Sequence, residues 1–191
     1  MKAVIVNGAN ADDRILNLAH EKLAEELAKR AWELQYLRLA ELHIAPCTGC
    51  FTCWVKTPGI CARNDDGKKI PAALIGNDLC IMLTPVVYGG FGPLLKTAMD
   101  RSIPILLPYF KAVQGEIHHP SRYGQQYNLL VVGSLPAPDA DKERIFTGLV
   151  ERNALNMSSQ QSYAGVIYQN ADTSVIAAKL NGCLQKVGVT I

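Results

Sequence analysis

The sequence has no long apolar run and almost no imbalance of charge. No stretch approaches the roughly 18 consecutive apolar residues that a membrane span needs, and the apolar stretch in residues 1–7 is too short for a secretory signal. Nineteen Lys and Arg against seventeen Asp and Glu leave a net charge of +2, whereas dedicated nucleic-acid binders carry a basic stripe. We therefore expect a cytoplasmic protein with no nucleic-acid partner and no membrane span.

Common catalytic and nucleotide-binding motifs are also missing. The chain has no G-x-S-x-G motif and no P-loop, and the glycines at 89–92 do not form a dinucleotide-binding fingerprint. What it does have is 49% hydrophobic residues over 191 positions, enough for the core of one folded unit. We predict a single domain over residues 1–191, with a cysteine-rich loop at about 46–67.

Five short apolar runs alternate with helical patterns. The strands are predicted at residues 3–6, 34–39, 78–84, 129–133 and 163–168, and Asp12 or Asp13 is predicted to cap the first helix. Such alternation is typical of a parallel sheet with helices on both faces. Because ligands bind at the carboxyl ends of such strands, the loops after the first, third and fourth strands are candidate sites.

Six cysteines are unevenly spread, and four of them follow the spacing C-x2-C-x2-C-x7-C. These four are Cys47, Cys50, Cys53 and Cys61. In a chain without an export signal, such clustering favours a metal or redox site over disulfides. Four thiolates suit a [4Fe-4S] cluster or zinc, and three closely spaced ligands favour the cluster. Free thiols in a loop are the alternative. Cys80 and Cys183 are predicted to be core residues.

The loop after the first strand is a candidate anion site. Free amides and the dipole of the following helix favour a phosphate there, and Asn10 and Arg14 are in place to contact it. Asp12 and Asp13 would repel it. An ordinary capped helix start is the alternative.

The segment after the third strand, residues 85–93, is predicted to be a glycine-rich loop. Glycines let a flat ligand approach the backbone closely, and Tyr88 or Phe91 could stack on it. The alternative is an ordinary strand-to-helix turn. His118 and His119, in a proline-flanked segment, are predicted to be a solvated loop pair.

Taken together, these motifs resemble the NADPH-dependent FMN reductases of flavodoxin-like fold, and the cysteine spacing is similar to the iron–sulfur flavoprotein branch. The resemblance is carried by Asn7-Gly8, the four cysteines, Thr84-Pro85-Val86, Gly89-Gly90-Phe91, Leu95-Lys96 and Asp100-Arg101. One departure is that no Ser or Thr lies between Gly8 and Ile15, where the family usually offers hydroxyls. The resemblance implies a three-layer α/β sandwich with strand order 2-1-3-4-5.

The resemblance also implies a function. It implies FMN at the carboxyl edge of the sheet, NAD(P)H as a transient hydride donor, and no catalytic side chain. The implied FMN-binding residues are Gly8, Ala9, Asn10, Arg14, Pro85, Val86, Val87, Tyr88, Gly89, Gly90 and Gly133. The four clustered cysteines are the implied cluster ligands. The implied acceptor is a quinone-like small molecule or a redox protein such as ferredoxin, and the implied assembly is a homodimer or homotetramer.

Two other functions stay open at this point. The first is an electron carrier in which flavin and cluster exchange electrons with a ferredoxin-like partner. The second is a non-enzymatic module that has lost FMN binding because of Asp12 and Asp13, with cysteines that hold zinc or stay free.

Overall fold

A computed structural model describes residues 1–124 and 126–190. Its helices and strands follow one another as β1 (Lys2–Asn7), α1 (Arg14–Lys29), β2 (Glu33–Arg38), α2 (Thr52–Val55), α3 (Lys69–Ile75), β3 (Leu79–Val87), β4 (Gly90–Phe91), α4 (Pro93–Asp100), β5 (Lys111–Val113), β6 (Glu116–His118), β7 (Asn128–Leu135), α5 (Ala140–Asn156), β8 (Ser162–Tyr168) and α6 (Thr173–Lys186). Short 3₁₀ turns lie at Leu39–Glu41, Asp66–Lys68 and Ile103–Ile105. The predicted cysteine-rich loop thus contains one short helix and part of a 3₁₀ turn.

The central sheet confirms the predicted topology. Its five parallel strands lie in the order β2-β1-β3-β7-β8, which is 2-1-3-4-5 when the strands of the parallel sheet are numbered along the chain. In the register, Ile5 of β1 lies opposite Tyr36 of β2 on one side and Ile81 of β3 on the other. The fold class is α/β and flavodoxin-like, as the sequence predicts.

Helices cover both faces of the sheet, and each face has its own apolar core. On one face, α1 and α6 pack through residues such as Leu23 and Leu180. On the other face, α3, α4 and α5 pack through residues such as Leu74, Leu95 and Phe146. Because both faces are buried, the strands read as continuous apolar runs in the sequence. Among the described residues, no helix is long and apolar enough to cross a membrane.

The prediction of a loop over residues 85–93 is wrong in part. Strand β3 continues to Val87, and the antiparallel strand β4 adds a short sixth strand to the sheet, with Val86 opposite Phe91. Tyr88 and Gly89 form the turn between them with φ angles of 51° and 83°. Two successive positive φ values are what a two-residue hairpin turn requires, and the glycine makes the second one easy.

The segment before β7 also differs from the sequence prediction. Strands β5 and β6 form a separate antiparallel hairpin. His118 lies on β6 and is buried, so the prediction of a solvated pair is wrong for this residue. Its Nδ1 lies 2.8 Å from Asn156 Oδ1 and its Nε2 lies 2.9 Å from Glu116 Oε2, and these polar partners allow the ring to be buried.

Candidate functional site

The carboxyl ends of β1, β3 and β7 meet at one edge of the sheet and bring the predicted loops together. The loop after β1 leads into α1, the β3–β4 hairpin projects beside it, and β7 ends on the other side of β3. In doubly wound sheets this edge is where ligands bind. Each predicted FMN-binding residue lies in one of these segments or at the start of α1.

The backbone amides of the first two residues of the β1–α1 loop donate hydrogen bonds to other groups of the protein. The Gly8 amide donates to Leu83 O at 2.8 Å, and the Ala9 amide donates to Asn7 Oδ1 at 2.9 Å. A Cβ on Gly8 would lie 2.8 Å from Leu95 Cβ, so this glycine lets the loop pack against α4. Gly8 and Ala9 therefore shape the loop, while their amides are already engaged.

The remainder of this loop faces a cavity of about 440 Å³ that adjoins the start of α1. Asn10 and Arg14 line it and are exposed. Asp13 is the N-cap of α1, and its carboxylate accepts a hydrogen bond from the Leu16 amide at 3.1 Å. The sequence prediction of the cap is confirmed. The same carboxylate brings a negative charge to the place where a phosphate would bind.

The β3–β4 hairpin presents only part of its length to solvent. Val87 and Tyr88 are exposed, and Tyr88 is 92% exposed. Gly89 is buried because Ile145 of α5 covers it, and a Cβ there would lie 2.6 Å from Ile145 Cγ2. Pro85 and Gly90 are half-buried, while Val86 is buried. An exposed aromatic ring at the tip is available to stack on a flat ligand.

Gly133, at the predicted far side of the site, is covered by neighbouring side chains. A Cβ there would lie 2.5 Å from Val86 Cγ2 and 2.9 Å from the Phe146 ring. The absence of a side chain at this position therefore lets the hairpin and α5 pack against β7. Close packing of the hairpin on the sheet is the structural role of this glycine.

The four clustered cysteines line one cavity of about 330 Å³. Cys47 and Cys50 are exposed, and Cys53 and Cys61 are half-buried. Burial and the neighbouring cysteines raise the pKa of Cys53. Within residues 1–124 and 126–190, no three His, Cys, Asp or Glu side chains are close enough to hold one metal ion. Cys80 and Cys183 are buried in the core, as predicted, and burial raises the pKa of both thiols.

A buried ion pair lies directly beside the cysteine cavity. Arg101 Nη2 lies 2.7 Å from Asp65 Oδ1, and the two side chains are 1% and 7% exposed. The guanidinium holds the pKa of the Asp65 carboxyl far below its usual range, despite the opposing effect of burial. Asp65 is not predictable from the sequence, because a single Asp in a polar loop carries no signal of its distant partner.

The residues at the carboxyl edge of the sheet are arranged in a way that suits FMN, and they suit its phosphate less well than its ring. An open helix start with Arg14, an exposed aromatic at the hairpin tip and a backbone turn between them suit a phosphate and a flat ring. The Asp13 carboxylate opposes the phosphate. The four thiols line one cavity, and four thiolates suit a [4Fe-4S] cluster or a zinc ion.

Comparison with known sequences finds one family. A model of the NADPH-dependent FMN reductases matches residues 1–116. An iron-sulfur flavoprotein of Methanocaldococcus jannaschii is 29% identical over 109 residues, which are 57% of this chain and 55% of that protein. An iron-sulfur flavoprotein of Archaeoglobus fulgidus is 30% identical over 102 residues, which are 53% of this chain and 49% of that protein. The chain thus spans about half the length of the curated relatives it matches.

Comparison with solved structures finds the same fold at low sequence identity. An NAD(P)H:quinone oxidoreductase from Methanothermobacter marburgensis superposes with a TM-score of 0.70 at 13% identity, and the match covers 97% of this chain and 96% of that one. An azoreductase from Bacillus anthracis superposes with a TM-score of 0.67 at 12% identity, with 97% of both chains covered. At these identities the likeness shows a shared fold.

Proposed function

The chain belongs to the NADPH-dependent FMN reductase family, and from this premise we propose that it is an FMN-dependent NAD(P)H oxidoreductase that reduces a small quinone-like acceptor. The observation that carries the proposal is the meeting of the β1–α1 loop and the β3–β4 hairpin at the carboxyl edge of the sheet. When bound at this edge, FMN would supply hydride transfer from NAD(P)H and two-electron reduction of the acceptor.

The protein's own residues bind and orient the cofactor in this proposal. Arg14 and the start of α1 hold the phosphate, and Asn10 contacts it from the loop. Backbone groups of the hairpin contact the polar edge of the ring, and Tyr88 covers it from solvent. No side chain acts as a general acid or base.

The four cysteines support a finer proposal, in which the chain holds a [4Fe-4S] cluster that relays electrons. Cys47, Cys50, Cys53 and Cys61 face one cavity, and the curated relatives are named iron-sulfur flavoproteins. A second candidate function follows from the same observation. It is an electron carrier that a ferredoxin-like protein reduces, without a role for NAD(P)H.

We also propose that the protein is a homodimer or homotetramer. The large apolar side chains Phe51, Val55 and Phe110 are 57%, 75% and 73% exposed, and Phe51 lines the cysteine cavity. Contiguous exposed apolar surface is typical of a protein–protein contact. Light scattering coupled to size-exclusion chromatography measures the number of chains directly.

Anaerobic purification followed by absorption spectroscopy tests the proposed function. We expect flavin bands, a broad iron–sulfur shoulder and about four irons per chain. Reduction is then followed with NADH, NADPH and reduced ferredoxin in parallel. Reduction by NAD(P)H supports the reductase, and reduction by ferredoxin alone supports the carrier. A protein that stays colourless after incubation with FMN and with iron and sulfide contradicts both and favours a non-enzymatic module.

A further inference from the structure

The segment that carries the four cysteines is closed at its base. We call residues 46–64 the cysteine lobe. On its two sides, the Asp66 amide donates to His43 O at 3.1 Å and the His43 amide donates to Asp66 Oδ2 at 2.9 Å. The Ala45 amide donates to Asp65 Oδ2 at 3.1 Å. The two ends of the lobe are therefore joined to each other by hydrogen bonds that involve no metal.

Arg101, which directly follows α4, forms hydrogen bonds with the residues at this base. Its guanidinium donates to both oxygens of Asp65, with Nη1–Oδ2 and Nη2–Oδ1 distances of 2.8 and 2.7 Å. Nη1 also donates to Ala45 O at 2.6 Å. One buried side chain thus contacts both ends of the lobe. A bidentate pair of this kind fixes geometry as well as charge.

Gly67 makes room for this arrangement. A Cβ at Gly67 would lie 2.6 Å from Arg101 Cζ, so the guanidinium plane rests directly against the backbone. Gly67 is buried, and its amide donates to Asp65 Oδ1 at 3.0 Å. The base of the lobe is consequently packed closely around the guanidinium.

The same guanidinium reaches one of the cysteines. Arg101 Nη2 lies 3.4 Å from Cys61 Sγ and donates to it. Cys61 is the cysteine that is separated from the other three by seven residues. A charged donor on a ligand sulfur stabilises the more negative, reduced state of an iron–sulfur cluster, since hydrogen bonds to sulfur are among the factors that set its potential.

We propose that Arg101 is a positioning residue that closes the cysteine lobe in the absence of metal and, through its hydrogen bond to Cys61, raises the reduction potential of the cluster held there. The second part rests on the proposed function, because it requires the cluster. The first part concerns the chain alone.

Trypsin cleavage of the metal-free, reduced protein tests the closure of the lobe. Lys56 and Arg63 are exposed cleavage sites within it. We expect Arg101→Lys to increase cleavage after these two residues about tenfold, since cleavage follows the population of the open segment. Arg30→Lys is the matched control, because Arg30 is a half-buried arginine that pairs with the carboxylate of Glu26 and directly follows α1, a helix on the other face of the sheet. Equal cleavage of R101K and wild type would overturn the closure.

A redox titration of the iron-loaded protein tests the contact with Cys61. Lysine keeps the positive charge but lacks the fork that reaches Asp65 and Cys61 together. We expect R101K to take up the same iron as wild type and R30K and to show a more negative midpoint potential. A purely structural role for Arg101 would leave the potential of the loaded protein unchanged, and that result would overturn the second part.

Further outcomes separate this inference from the proposed function. Loss of iron uptake in R101K with normal uptake in R30K would overturn the second part, which expects the cluster to form in both variants. If R101K does not fold, as judged by circular dichroism, Asp65→Asn replaces it in the cleavage test, because it removes the bidentate pair and keeps Arg101. Wild-type protein that takes up no iron contradicts the proposed cluster and the second part, and the cleavage comparison still decides the first part.

Discussion

At the scale of single residues, Asp13 has a structural role and a functional consequence that oppose each other. Its carboxylate caps α1 through the Leu16 amide, which stabilises the helix start by about 1 kcal/mol. It also occupies an amide that a phosphate would otherwise use. The sequence predicted both the cap and the repulsion, and the structure shows that Asp13 provides the cap.

Replacing Asp12 and Asp13 tests this interpretation. We expect the Asp12→Ser/Asp13→Ser double variant to bind FMN about tenfold more tightly, because removing a charge near an anion at the protein surface is worth on the order of 1 kcal/mol or more. Serine keeps the cap. The measurement is the Kd from quenching of flavin fluorescence. Riboflavin is the control, since it has no phosphate and its affinity should not change. Unchanged or weaker FMN binding would show that the carboxylates are not the obstacle.

At the scale of elements, the β3–β4 hairpin depends on two close contacts to glycine. Gly89 has a φ of 83° and lies under Ile145, and Gly133 lies under Val86. The hairpin is thereby packed against α5 on one side and against β7 on the other. The sequence showed a run of glycines after a strand, but the partners of these glycines come from segments about 40 to 60 residues away.

The substitution Gly89→Ala should destabilise the protein by about 1–3 kcal/mol, because alanine disfavours this φ and its Cβ would overlap Ile145. Urea unfolding measures the change. The double variant with Ile145→Ala should recover the part that comes from overlap. Gly148→Ala within α5 is the matched control and should stabilise the protein, since a Cβ there meets nothing within 4 Å. A neutral G89A would contradict the close packing.

At the scale of the whole molecule, the Arg101–Asp65 pair links the cysteine lobe to the core. Arg101 is fully buried at the end of a helix that packs on the sheet, and Asp65 belongs to the segment outside it. Removing one partner of such a pair leaves an uncompensated buried charge, which is strongly destabilising. The stability of the molecule and the geometry of the lobe are therefore connected through this contact.

The acid dependence of unfolding should show this connection. The pKa of Asp65 is lowered by Arg101 in the folded state, so the pair's contribution is complete above the unfolded value of about 4 and is lost as pH falls below it. We expect the difference in unfolding free energy between wild type and Asp65→Asn to be constant from pH 5 to 7 and to shrink below about pH 4. Urea unfolding across this range measures it. A difference that does not change with pH would show that the carboxylate charge is not involved.

The sequence by itself determined the class of fold, the strand order through the family resemblance, the cap of the first helix and the set of four cysteines. These features are local: apolar runs mark strands because their neighbours bury both faces, and spacing identifies cysteines that lie close along the chain. Only the tertiary structure decided that Gly133 serves packing, that His118 is buried and that Asp65 meets Arg101 beside Cys61. Each of these depends on a partner far away in the chain. The role of a side chain in such a contact is set by the charge, the volume or the hydrogen-bonding group of the residue that the fold places beside it.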